Sequence, residues 1–270
     1  MGPPSFSWAS LGQAVLRLGH YSDLLLTLTA HRLRVRYKQS VLGSLWAVVQ
    51  PLSLMLIYTV IFSRIARVDT GNIPYPLFAF AALLPWTTFS TAVSTATNSL
   101  VSHFNLVTKV YFPREILPLT YVFAAIADLV VGGAILGVLL AYFDVSLTWR
   151  LLYVVPIVAT LAVFALAVSL ILCAIQVRYR DIGIGMPLAL QLWMFATPVV
   201  YPLDAVPTEW RALYMLNPMV GIIESFRRVV IEGASPAGAP FAFSIAAALV
   251  LLPVAFLYFK RVEATVADVL

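Results

Sequence analysis

Charged residues are scarce in this sequence. Only 11 % of its 270 residues are Asp, Glu, Lys or Arg, against roughly 25 % in a soluble globular chain. Apolar and aromatic residues make up 61 % and the mean hydropathy is +0.94. A soluble fold of this size could not hide that much apolar surface, so the chain reads as a polytopic membrane protein. Cysteine is nearly missing. Cys173 stands alone inside an apolar run, which excludes an intrachain disulfide and a thiolate metal site and leaves a small buried apolar residue. His20, His31 and His103 are scattered, and no His-Glu-x-x-His occurs, which argues against a metal centre. No Gly-x-x-x-x-Gly-Lys-[Ser/Thr] loop is present, so the chain does not bind ATP by a P-loop. No pair of carboxylates faces a common site, as a membrane transferase holding a metal–diphosphate would need. Asp128 is the one acid well inside an apolar run. An acid there is a functional candidate, a proton relay included, unless it serves only to hydrogen-bond a neighbouring helix. The net charge of +5 comes from cations at the ends of apolar runs and not from a patch with interleaved aromatics, so nucleic acid is not an expected partner.

What the sequence does have is six apolar runs, at about 41–63, 77–101, 117–142, 151–176, 185–201 and 241–259. A span needs about 20 residues, and all are expected as helices because an open sheet cannot satisfy its backbone in lipid. The fifth run is the shortest, at about 17 residues. Leu24 to Ala30 is apolar but short, and cations follow it where a cleavage site would lie, so the N-terminus does not read as a signal peptide. An even number of spans puts both termini on one side. The N-terminal segment, the 102–116 and 177–184 loops and the tail hold eleven of the cations; the opposite side holds six. The positive-inside rule therefore places both termini in the cytoplasm.

Pro51, Pro156, Pro187, Pro198 and Pro253 fall inside expected spans, where each invites a kink. Gly133 and Gly137 form a small-xxx-small pair that suggests close packing of the third span. Between Pro202 and Glu232 apolar residues from Trp210 to Val230 interleave with Asp204, Glu209, Arg211, Glu224, Arg227 and Arg228, and Asn217-Pro218 divides the stretch. It reads as two short amphipathic helices dipping back toward the bilayer from outside. Gly233 to Pro240 reads as a short outer turn.

The residue pattern Arg36-Tyr37-Lys38-Gln39-Ser40-x-Leu42-Gly43-x-Leu45-Trp46-x4-Pro51 resembles an ABC-2 type permease, and more specifically the membrane subunit of ABC exporters for cell-surface polysaccharides (O-antigen, capsule, teichoic acid). Four further segments match in order: Val107 to Glu115, Val177 to Ile182, Trp193-x4-Pro198-Val199-x-Tyr201, and Leu216-Asn217-Pro218-Met219. The resemblance covers nearly the whole chain. It implies an all-α polytopic fold of six transmembrane helices, with an N-terminal amphipathic interface helix in a 1–40 cytoplasmic segment. A 41–270 transmembrane domain follows, with an outer re-entrant helix pair between spans five and six.

The same resemblance implies no catalytic residue, cofactor or metal in this chain. ATP and Mg would be held by a separate cassette ATPase, in a complex of two of each chain. The substrate would be a polysaccharide, lipid-linked and O-antigen-like, crossing the cytoplasmic (inner) membrane. The interface helix is assigned Arg32, Arg34, Arg36, Tyr37 and Lys38, although Arg32/Arg36 and Arg34/Lys38 fall on two faces and also suit an anchor on anionic lipid. The loop from Phe104 to Glu115 is the candidate ATPase-coupling helix, with Phe104, Lys109, Tyr111, Phe112, Arg114 and Glu115 as aromatics and a charged rim for a partner cleft. Candidate path residues are Tyr58, Trp86, Phe89, Trp193, Phe195 and Tyr201, whose rings suit the C–H faces of sugars. The alternatives are an ABC-2 exporter of a small molecule or lipid and a membrane-embedded transferase on lipid-linked sugars.

Overall fold

The structure, a computed structural model, describes residues 19, 21–37, 46–71, 73–110 and 112–269. Among the described residues every regular element is helical. Helix α1 (Ser22–Tyr37) opens with Asp23 in its first turn, where the helix dipole favours an acid. Tyr21, Leu24, Leu25 and Leu28 pack it onto a cluster around Leu100, Phe112 and Ile116. Its outward residues mix Leu26 and Val35 with charge, so its polar and apolar residues do not separate cleanly.

Helix α2 (Trp46–Tyr58) contains Pro51 and widens into π-type turns over Thr59–Ile65. Then come α3 (Tyr75–Thr97), the short α4 (Phe104–Lys109), α5 (Ile116–Tyr142), α6 (Val154–Arg178) and α7 (Asp181–Phe195). Helices α8 (Thr208–Met215) and α9 (Pro218–Val230) precede the long α10 (Gly238–Val269). Among the described residues five segments are long and apolar enough to cross a bilayer: Val48–Ile65, Tyr75–Thr97, Ile116–Tyr142, Trp149–Arg178 and Gly238–Glu263. The fifth expected span is the exception. Helix α7 has 15 residues, about 22 Å at ~1.5 Å per residue, short of a ~30 Å hydrocarbon core. It starts at Asp181 and stops at Phe195, because Pro198 cannot continue a helix and disfavours helical backbone just before it.

Lipid tails are as apolar as leucine, so close packing, not water exclusion, holds spans together. Helix α3 is the pillar: 78 % of its span is buried, against 6 % for the α2 span. It packs against α2, α5, α6 and α9, with Leu77, Phe80, Leu83 and Phe89 fully enclosed. Gly132 lets α5 approach Leu84 of α3. Gly133 and Gly137 do not pack as expected; they face open space among the described residues. The buried side of α5 runs through Leu129, Gly132, Leu136 and Leu140, and the Gly133/Gly137 pair falls beside it.

Helices α8 and α9 are the expected pair between spans five and six, and they differ. Helix α8 has no buried residue and lies on the bundle surface. Helix α9 turns back among α3, α6 and α10 and buries Met219, Ile222, Ile223, Phe226 and Val229. Asn217 caps it by accepting from the Met219 N–H at 3.1 Å, and Pro218 fills its first turn. At Gly221 it crosses the start of α10 so closely that a Cβ would strike the Pro240 carbonyl oxygen and the Ser244 hydroxyl. Gly221→Val should therefore cost about 1–3 kcal/mol by overpacking, and Gly133→Val far less. Thermal melts of the two variants in detergent, followed by size-exclusion, check this.

Candidate functional site

Between α2, α3 and α5 lies a cavity of about 550 Å³, within the ~300–1,000 Å³ range of ligand pockets. Helix α2 contributes Trp46, Gln50, Pro51 and Leu54. Helix α3 contributes Trp86 and a polar run that includes Thr87, Ser90 and Thr91, and α5 contributes Asp128 and Gly132. Met194 of α7 reaches it from the side. Asp128 is thus placed on a cavity wall, and Gln50 and the α3 hydroxyls beside it were not singled out from sequence. Their signal was available: Thr87, Ser90, Thr91, Ser94, Thr95 and Asn98 recur every three or four residues and are the half-buried positions on an otherwise buried stretch.

Beyond the cavity the aromatics gather. The Phe89 ring stacks on Phe164 (centroids 5.5 Å apart) and meets Trp193 edge-on at 5.1 Å. Trp86 lies against Phe89 at 5.7 Å and Trp193 at 6.4 Å. So Trp86, Phe89 and Trp193 come together, but Phe89 is wholly enclosed and supports a wall without presenting a face. Tyr58 stands apart, its hydroxyl 3.9 Å from the Met194 sulfur. Phe195 is exposed, and Tyr201 is half-buried near it.

The end of α7 is held by side chains from other elements. The Tyr201 hydroxyl donates to the Phe195 carbonyl (2.6 Å) and lies 3.1 Å from the Tyr214 hydroxyl of α8. Asn217 Nδ2 donates to Thr197 Oγ1 at 2.8 Å and reaches the Ala196 carbonyl at 3.5 Å, while its Oδ1 accepts from Trp193 Nε1 at 3.2 Å. Arg227 of α9 is buried, and its Nη2 donates to the carbonyls of Pro198 (3.2 Å) and Val199 (3.1 Å). Its Nη1 pairs with Glu224 at 3.2 Å, and the guanidinium lies 3.7 Å over the Phe78 ring. Glu224 and the two carbonyls are the partners that a buried guanidinium needs. The Tyr75 hydroxyl donates to Val200 O at 2.7 Å.

The opposite end of the bundle is a second polar assembly. Arg32 of α1 lies 3.2 Å over the Tyr121 ring, with Nη2 3.3 Å from His103 Nε2. Arginine only donates, so Nε2 accepts and Nδ1–H donates to the Ser99 carbonyl at 3.0 Å. Lys260 of α10 bridges Glu115 (2.6 Å) and Glu263 (2.7 Å), and Arg114 donates to the Glu263 carbonyl at 2.9 Å. Gln176 joins three helix ends: it donates to Asn98 Oδ1 (3.1 Å) and the Arg180 carbonyl (3.2 Å) and accepts from Gly183 N–H (2.6 Å). Within the expected coupling loop, Phe104, Lys109 and Val110 are exposed. Phe112 and Glu115 are taken up inside the chain, Phe112 in the core cluster under α1 and Glu115 beneath Lys260. Tyr111, Lys38 and the side chains of Arg36 and Tyr37 lie outside the described residues. Arg34 is exposed.

The family model for ABC-2 type transporters matches residues 23–231. The chain belongs to the ABC-2 type transporter family. Among curated relatives, the O-antigen export system permease protein RfbA of Myxococcus xanthus is 35 % identical over 240 residues, 88 % of this chain and 92 % of that protein. An RfbA of Klebsiella pneumoniae is 32 % identical over 219 residues, covering 80 % and 83 %. The polysialic acid transport protein KpsM of Escherichia coli is 24 % identical over 247 residues, covering 86 % and 91 %.

In this ABC-2 chain the sequence missed Arg227 and Asn217, read there as an outer cation and a helix break. The Asn-Pro pair carried the signal of a helix cap; nothing near Arg227 marked it as a partner for carbonyls some thirty residues earlier in the chain. Arg227→Met should leave the Pro198 and Val199 carbonyls without donors, at about 1–3 kcal/mol each, whereas Arg228→Met, half-exposed beside Glu232, should change little. Melting temperatures of the two purified variants separate them, and Arg227→Lys should fall between, since a point charge replaces a fork.

Proposed function

We propose that this chain is the membrane subunit of an ATP-driven exporter that moves a cell-surface polysaccharide, lipid-linked and O-antigen-like, across the cytoplasmic (inner) membrane. The observation that carries this reading is the near full-length similarity to RfbA of Myxococcus xanthus. Two copies pair with two cassette ATPase subunits, which hold ATP and Mg and supply the power this chain lacks. Both termini face the cytoplasm, a reading that the distribution of cations supports. Residues 1–40 form the interface segment and 41–270 the transmembrane domain.

The ATPase docks on the α4 side of the bundle. Phe104 and Lys109 are the exposed aromatic and cation there, and Arg114 and Glu115 sit behind them, braced by Glu263 and Lys260. A push on α4 reaches α10 through that ion cluster and α1 through the His103–Arg32 contact. On the far side, α7 with α8 and α9 moves as one piece, because Trp193, Asn217 and Arg227 tie α7 and the turn after it to α9, and Tyr201 ties the end of α7 to Tyr214 of α8. The exposed rings of Phe195 and the half-buried Tyr201 stand at this end of the path.

Two outcomes test the reading. Reconstituted with the cassette ATPase in liposomes containing lipid-linked O-polysaccharide, the pair should expose the glycan outside only when ATP is supplied; equal export by this chain alone would overturn it. Phe104→Ala with Lys109→Glu should weaken the complex by roughly 30-fold, as loss of a ~2 kcal/mol interface anchor does, and reduce glycan-stimulated ATP hydrolysis in step. Affinity pull-down of the ATPase reads the first effect and phosphate release the second.

A further inference from the structure

We propose that Arg64 and Arg67, at the end of the α2 span away from α1, form a binding site for the phosphate of an anionic membrane lipid, which the export reading places in the outer leaflet.

Six arginines lie on that side of the sequence, where cations are disfavoured, and the chain itself engages four of them. Arg211 pairs with Asp204 at 3.4 Å, Arg227 with Glu224 at 3.2 Å and Arg228 with Glu232 at 3.9 Å, and Arg150 donates to the Gly233 carbonyl at 3.0 Å. Arg64 and Arg67 are exposed, and among the described residues neither makes an ion pair or a side-chain hydrogen bond. Asp69, the acid nearest them in sequence, turns one carboxylate oxygen to the Gly71 N–H at 2.8 Å.

The backbone holds Arg67 in an unfavourable place. The Ala66 N–H donates to the Ile61 carbonyl and the Val68 N–H to the Phe62 carbonyl, both at 2.8 Å, which closes the last wide turn. Arg67 between them has φ 51°, a left-handed position where helices commonly end on glycine. A cation in the last turn, as Arg64 is, suits the helix dipole. That does not account for an arginine at the left-handed position beyond it.

The mount is fixed and its surroundings suit a lipid. Phe62 stacks on Tyr75 at 6.4 Å, and the Tyr75 hydroxyl is bonded to the Val200 carbonyl. Nearer the bilayer centre on the same helix, Ile57, Val60 and Ile61 are exposed. Apolar side chains beneath two forked cations match acyl chains beneath an anionic head. Phosphate brings acceptors only, and a guanidinium grips it with two parallel N–H groups. A choline head carries the same phosphate together with a cation that the arginines repel. An acidic protein loop would satisfy the arginines without using the apolar side chains beneath them.

The test places a bimane fluorophore on Ala66→Cys in the complex with its ATPase, in phosphatidylcholine nanodiscs. Native Cys173 is fully buried and stays unlabelled. Spin-labelled phosphatidylglycerol should be preferred as quencher over spin-labelled phosphatidylcholine by about fivefold for each arginine. Arg64→Gln and Arg67→Gln should each lose one such factor, and the double variant should show no preference. Arg67→Gly should lose its factor yet melt no lower than the parent, because glycine relieves the left-handed backbone; a purely structural arginine would give the reverse. Equal quenching by the two lipids in the parent, a preference that survives in the double variant, or displacement of the lipid by millimolar inorganic phosphate would overturn the proposal. Ile65→Cys repeats the test if the first variant does not assemble. None of these readings needs ATP or glycan, so a lipid preference without ATP-driven export would sink the export reading and leave this site standing.

Discussion

Carbonyl groups released inside a lipid-embedded body have no water to turn to, and each one left bare costs several kcal/mol. Where α7 stops, six in a row must be satisfied, from Phe195 to Val200. Tyr201 takes the first, Asn217 reaches the second, the Val199 N–H takes the Thr197 carbonyl, Arg227 takes the next two and Tyr75 the last. Their sources are α3, the loop after α7, the cap of α9 and α9 itself. The break that Pro198 imposes is therefore the reason these elements are locked together. Helix α9 turns back among the spans because Arg227 must reach those carbonyls, and its apolar face then fills the space between α3, α6 and α10.

That lock contrasts with the looseness of the neighbouring helices. The α2 span is hardly buried, and α7 shows Ile184, Leu188 and Leu192 outward. Both contain a proline, Pro51 and Pro187, that removes a backbone bond. Helix α7 is fastened by polar bonds at its ends and, along its length, buries one side only, through Met186, Leu190 and Met194. Gln176 and Asn98 hold the Gly183 end, where a Cβ would meet both side chains, and Asn217 and Arg227 hold the other. A helix held this way links the two ends of the bundle, while α3 is buried among its neighbours. Low burial and few packed contacts are what mark segments able to move.

Much of this was legible in the residues. Long apolar runs fixed the helices now seen as α2, α3, α5, α6 and α10, because lipid permits few other solutions. The family motifs lie at helix ends, where they could be matched in order. Facing and depth were less legible. Phe112 and Glu115 looked like docking groups in a polar loop, yet they fall where the chain folds onto α1 and α10, and only the tertiary arrangement decides which side of a short loop is covered. Gly133 and Gly137 have the right spacing, but a rotation of one residue places Gly132 at the contact instead. Trp86 and Trp193 are adjacent only because α3 and α7 meet, a separation of a hundred residues in sequence that no local periodicity reports.

The ion cluster at the α4 end shows why charge counts alone mislead. Arg114 and Lys260 read as topogenic cations, and that role needs only that they stay on one side. The fold gives them a second one. Glu115 is buried, and a buried acid is costly without a close partner, which Lys260 supplies from a helix 145 residues away. Glu263 completes the cluster by drawing Lys260 and Arg114 together. Because loss of one member leaves another charge uncompensated, removing any one of them costs more than removing a separate surface pair would. The start of α5 and the end of α10 are thereby tied together at this end of the bundle.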